Sequence, residues 1–153
     1  MIQGIIDEPL TLTSNTSVVT FEDNLRTRSA NCCGKCGWLQ HQDNSPLYKI
    51  IEGGIYDITF TGTVTSATAG IVALAILQDG VELPYTVSAE TLAAAGDLAN
   101  ISISTSVRVC PNGSTSFSLA SVPSVLAGAD LVSTDTQIPI ITNGTLSIKK
   151  RYV

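Results

Sequence analysis

The 153-residue sequence predicts an all-β, antiparallel sandwich, and three features carry that expectation. β-Branched residues are abundant: 18 Thr, 15 Ile and 12 Val make 45 of 153 positions, a composition that suits pleated strands better than helices. Apolar and polar residues alternate with period two over several stretches. Asp-Gly and Asn-Gly pairs fall between such stretches at Asp79-Gly80, Asn112-Gly113 and Asn143-Gly144, where tight turns need the positive φ these residues tolerate. The length is that of one domain, able to bury about 70% of its unfolded surface. With 44% hydrophobic and 14% charged residues, burial can outweigh ordering entropy, which excludes a disordered chain. A net charge of −5 argues against a nucleic-acid-binding module, which presents a basic face.

Taken in order, Leu10–Phe21 alternates as a strand, whereas Glu22–Pro46 is polar, turn-rich and holds three of the four cysteines. Residues 1–46 are therefore expected to form an N-terminal arm and Cys-containing loop laid over a main domain at 47–153. Tyr56, Ile58 and Phe60 alternate with Asp57, Thr59 and Thr61. Gly70–Leu77 is apolar on both faces, which predicts a strand covered on both sides, either central in a sandwich or at a subunit interface. A buried helix competes there, but Gly70 and Asp79-Gly80 bound the run as a strand. Ser88–Ala95 is the helical candidate, with Ser88 as N-cap and Gly96 as stop. Ile101, Ile103, Thr105, Val107 and Val109 oppose Ser102, Ser104, Ser106 and Arg108, and Phe117 and Leu119 oppose Ser116, Ser118 and Ala120. Leu146, Ile148 and Lys150 oppose Thr145, Ser147 and Lys149. Eight or nine short strands at hairpin spacing make a sandwich or jelly roll.

The longest apolar run, Ile71 to Leu77, is seven residues, where a membrane span needs about twenty. The start has no basic region and too short an apolar stretch for a signal peptide, so neither export by the general route nor membrane insertion is expected. Sequons at Asn15, Asn100, Asn112 and Asn143 read as by-products of a Ser/Thr-rich chain, two of them inside Asn-Gly turn pairs.

Chemistry centres on the cysteines. Cys33 and Cys36 form a C-x-x-C pair, with Cys32 adjacent and Cys110 far along the chain. Tetrahedral zinc needs four soft ligands, which Cys33, Cys36, Cys110 and either Cys32 or His41 could supply. Disulfides or free structural thiols are the alternatives, depending on the redox compartment. A thioredoxin-like redox role needs a βαβ context that an all-β chain lacks. His41 is the single histidine, and without a G-x-S-x-G elbow it reads as a loop or strand-edge residue. The acids are scattered over turns and strand ends rather than paired for glycoside hydrolysis. Lys149-Lys150-Arg151 places Lys149 and Arg151 on one strand face and Lys150 on the other. That cluster reads as a solvated terminal strand or as a patch docking onto an acidic capsid surface. Trp38, Tyr48 and Tyr85 could stack on sugars or serve as core and interface residues.

Ile51-Glu52-Gly53-Gly54-Ile55-Tyr56-Asp57-Ile58-Thr59-Phe60, the apolar strand and turn Val72–Gly80, and the closing Gly144-Thr145-Leu146-Ser147-Ile148-Lys149-Lys150 together resemble the tumour-necrosis-factor-like jelly roll, also found in complement-type globular heads. The resemblance covers about two-thirds of the chain, and departs from the family at Gly128-Ala129-Asp130-Leu131-Val132, where an Ala interrupts the family's G-D-x-V/I. It implies a homotrimer packed around a threefold axis, with Tyr56, Leu74, Ile76 and Tyr152 as interface candidates. A small acidic jelly roll of this kind also resembles bacteriophage virion components. The implied function is a non-enzymatic structural protein of the virion, made in the host cytoplasm, that decorates the head or caps a head fibre. Its partner would be the major capsid protein or another virion protein. A receptor- or glycan-binding tail tip is the alternative. Neither cofactor, nucleic acid nor membrane is expected, zinc on the cysteines excepted.

Overall fold

In the computed structural model, alternation turns directly into burial. The structure describes residues 1–21, 23–26, 38–41, 44–83, 85–127 and 132–151, with 23–26, 124–127 and 132–134 described by backbone alone. The strands are β1 Ile2–Ile6, β2 Leu10–Thr11, β3 Asp23–Arg26, β4 Leu39–Gln40, β5 Tyr48–Ile50, β6 Gly54–Ser66 and β7 Gly70–Gln78. They continue with β8 Val81–Glu82, β9 Ser88–Leu92, β10 Ala99–Val109, β11 Thr115–Ser121, β12 Ser124–Ala127, β13 Val132–Asp135 and β14 Pro139–Arg151. Among the described residues there is no helix, and hence none that could cross a membrane.

Two antiparallel sheets make the sandwich. The first runs β10-β6-β14-β1-β3, with β2 also beside β14. The second runs β4-β5-β11-β7-β8, with β9 also beside β7, and β12 pairs with β13 as a separate hairpin. On the inner faces Tyr56, Ile58 and Phe60 of β6, Ile101 and Ile103 of β10 and Leu146 and Ile148 of β14 join one core with Tyr48, Leu74, Ile76, Phe117 and Leu119 from the second sheet. Each such large side chain contributes about 1.5–3 kcal/mol by leaving water. β7 is covered on both faces within the single chain: Val72, Leu74 and Ile76 lie in the main core, while Ala73 and Ala75 pack with Val122.

The described part of residues 1–46 is built into the sandwich rather than laid over it. β1 lies between β14 and β3, completing the hydrogen-bond ladder of β14. Ile2, Ile6, Leu12, Val19 and Phe21 are buried in the main core. Val18 bridges Ala120, and Val19 N–H donates to Leu119 O at 2.8 Å, which ties this segment to the second sheet as well.

The helical expectation for Ser88–Ala95 is also corrected. Ser88–Leu92 pairs with β7, from Leu74 opposite Ser88 to Gly70 opposite Leu92, so an exposed edge of β7 overrides a weak local preference. The chain then turns at Ala94–Asp97, where Ala94 N–H donates to Asp97 Oδ2 at 2.8 Å and Gly96 takes φ +82°.

Of the three turn pairs, only Asp79-Gly80 closes a hairpin, with φ of 51° and 80° between β7 and β8. Asn112-Gly113 instead carries the chain between sheets, from β10 to β11. Pro111 followed by Asn112 at φ 61°, closed by Gly113 N–H to Cys110 O at 3.0 Å, is the type II arrangement. Asn143-Gly144 lies inside β14, beside a register shift between Ile141 and Asn143. Gly144 there faces Gly62 of β6, and the Phe60 ring covers both: an added Cβ would stand 2.7 Å from that ring at Gly62 and 2.9 Å at Gly144.

Candidate functional site

Burial in the core leaves the outer face of the first sheet as the broadest functional surface. Because β6, β10 and β14 alternate strictly, their outward residues fall in cross-strand rows. One row is Thr145, Thr61 and Ser102; the next is Ser147, Thr59 and Ser104, with Gln3 of β1 at its end. Hydroxyls and amides join neighbours across the strands: Gln3 Nε2 donates to Ser147 Oγ at 3.3 Å, and Thr63 Oγ1 donates to Asn100 Oδ1 at 3.0 Å. Where Gly62 faces Gly144, this face holds an open hollow of about 650 Å³, bordered by Asp7, Thr63, Asn100, Ser102, Asn143 and Thr145. Carboxylate, amides and hydroxyls without a cation suit an uncharged, polyhydroxylated ligand.

Towards the chain terminus the same face becomes basic. Lys149 lies opposite Asp57, which lies opposite Ser106; Arg151 lies opposite Ile55, which lies opposite Arg108. Arg151 reaches Asp57 Oδ1 at 2.6 Å and Ser106 Oγ at 3.2 Å. The hydrogen bond from Ser106, then the one from Arg151, holds the Asp57 carboxyl below its ordinary pKa. Lys150 turns the other way, as the alternation requires, and pairs with Glu52 beside Tyr56, whose hydroxyl donates to Glu52 O at 2.7 Å. The corner is thus Arg108, Lys149 and Arg151 around a half-buried Ile55, offset by one carboxylate.

A second surface lies on the edge of the other sheet. Tyr85 is fully exposed (104%), flanked by Val81 (70%) and Val87 (37%). Its loop is held firmly: the buried Thr86 hydroxyl donates to Leu83 O at 2.8 Å and accepts from Ile76 N–H at 3.2 Å. Tyr85 nevertheless takes φ 64°, a conformation that costs a bulky side chain about 1–2 kcal/mol.

The interface candidates Tyr56, Leu74 and Ile76 are corrected: they are at most 1% exposed in the single chain and have no surface left for a partner. The reason is that β6 and β7 turn these residues inward across the sandwich. Tyr152 lies outside the described residues, as do Cys32, Cys33 and Cys36. Cys110 is an exposed free thiol at the start of the Pro111-Asn112 turn. Among the described residues no group of three or more His, Cys, Asp or Glu gathers as a metal site. His41 is buried, stacked on Tyr48 at 4.0 Å with rings 3° apart, its Nδ1 2.9 Å from Leu47 O. Tyr48 is buried too, which pushes its phenol well above the ordinary value. Trp38 packs on Tyr56 at 5.2 Å, so of the three aromatics considered for sugars only Tyr85 faces solvent. The pairing of Arg108 with the terminal basic cluster has no local sequence signal and emerges from register, whereas the backbone of Tyr85 follows from a local turn after Pro84 that the sequence reading passed over.

No protein-family model matches the chain, and no curated protein matches it. Among solved structures, the globular domain of zebrafish complement 1qA protein matches with a TM-score of 0.62 at 12% sequence identity, over 99% of this chain and 96% of that chain. At that identity the likeness speaks for the fold. The chain has a jelly-roll fold of the tumour-necrosis-factor-like, complement-type kind along essentially its whole length.

Proposed function

We propose that this protein is a non-enzymatic structural module that assembles as a homotrimer and decorates a bacteriophage particle, on the head or at the cap of a head fibre. The observation that carries the module is the fold: a single jelly roll that accounts for 99% of the chain and presents polar and basic faces for contact. Three of its titratable groups serve structural roles: His41 is stacked in the core, and Asp57 and Asp79 are tied to neighbouring strands. The virion reading rests on composition and analogy: a small acidic all-β domain, with the major capsid protein or another virion protein as partner and the particle as its place. Labelling purified particles of the encoding phage with an antibody to the chain tests it by electron microscopy. Regular label on heads is expected, and particles free of the protein contradict the reading.

A receptor- or glycan-binding tip is the second reading. The hollow bordered by Asp7, Asn100 and Asn143 favours it, because its lining suits neutral sugars.

A further inference from the structure

Among the described residues, four other than glycine have positive φ: Asn44, Asp79, Tyr85 and Asn112. Three are Asn or Asp, whose short polar side chains tolerate that region by bonding locally. Tyr85 is the exception, and its fully exposed ring adds nothing to the core. The Thr86 hydroxyl bonds Ile76 and Leu83, which anchors the backbone next to Tyr85 to the sheet. The φ belongs to the turn that Thr86 N–H closes on Leu83 O at 3.3 Å, so what points to a contact outside the chain is the full exposure of the ring.

Charge indicates the partner. No Lys or Arg occurs between Ile51 and Val107, and the exposed acids Glu82 of β8 and Glu90 of β9 lie on the two strands that flank Tyr85 in the chain. The cations Arg108, Lys149 and Arg151 gather instead on the outer face of the first sheet, around Ile55. Both surfaces lie towards the end of the sandwich where β10 turns into β11: Arg108 and Arg151 lie opposite Ile55 beside the end of β10, and Glu82 lies opposite Leu77, next to Gln78, which pairs with Phe117 near the start of β11. One chain therefore carries two different, mutually complementary patches, the arrangement that makes a closed ring of copies.

We propose that the acidic Tyr85 edge of one copy packs against the basic corner of the next. Tyr85 rests on Ile55 with its ring face toward the guanidinium of Arg108 or Arg151, and Glu82 pairs with Arg108 or Lys149. This deepens the homotrimer reading and depends on it, since it names the contact that closes the ring.

The test is the native mass of the full chain by light scattering over a dilution series, for wild type and for Tyr85→Gly, Glu82→Lys, Arg108→Glu and the double variant Glu82→Lys/Arg108→Glu. Tyr85→Gly is the variant least able to fail by misfolding, because glycine suits φ 64°. Each single variant is expected to need about tenfold or more protein to assemble, the loss typical of a central interface residue. The double variant, with the charges exchanged, is expected to recover assembly. A trimeric wild type whose single variants assemble equally well, or whose double variant fails to recover, overturns this contact and leaves the homotrimer standing. A monomeric wild type overturns both.

Discussion

Asp79 shows how one side chain serves turn and sheet at once. Its backbone supplies the φ of 51° that the hairpin needs, while its carboxylate accepts Ser116 N–H at 2.8 Å and Thr115 Oγ1–H at 2.7 Å. These bonds, the one from Ser116 first, lower its pKa. A depressed carboxyl contributes stability that is complete above the unfolded value, about 3.9, and is lost as pH falls through the lower folded value. Asp79→Asn keeps the turn geometry and removes the charge. The variant is expected to be less stable than the parent near neutral pH in urea unfolding, with the gap closing as the medium becomes strongly acidic. A gap that stays constant with pH would contradict this role. At this scale the sequence was legible where a local rule decides, as at Asp79-Gly80 and in the opposite facing of Lys149 and Lys150. At Tyr85 the signal was half legible: the residue follows Pro84 as Asn112 follows Pro111, but a tyrosine is an unusual occupant of a positive-φ turn position.

Among the elements, β1 departs most from expectation. It was read as part of a peripheral arm, yet Gly4 lies so close beneath the second sheet that an added Cβ would stand 2.0 Å from the Tyr48 hydroxyl oxygen and 2.9 Å from the Phe21 ring. Gly4→Ala is therefore expected to destabilise the fold by about 1–3 kcal/mol, the usual range for overpacking, as measured by urea unfolding. An unchanged midpoint would restore the peripheral arm. Strands with strict alternation, such as β6 and β10, were legible because each residue's face is decided by its own neighbours. β9 and the interior of β14 were not, because pairing partners far along the chain decide them: β7 recruits Ser88–Leu92, and Gly62 with Phe60 makes room for Gly144 inside a strand.

For the whole molecule, strand number and composition give the sandwich, and the motif resemblance gives the jelly roll over two-thirds of the chain. The structure extends that fold to the N-terminal third, where β1 and β14, 144 residues apart at the bonded pair Gln3–Ser147, lie side by side. Such long-range pairing leaves no trace in local pattern. The outer surfaces were legible only in part, since the basic corner needs register to bring Arg108 to Arg151 and three of the four expected interface residues, Tyr56, Leu74 and Ile76, lie in the core. The proposed role of those surfaces is assembly, and the most direct test is the native mass of the purified wild-type chain by light scattering. The account predicts a mass near three times 16.0 kDa. A mass of 16.0 kDa at every concentration would contradict it.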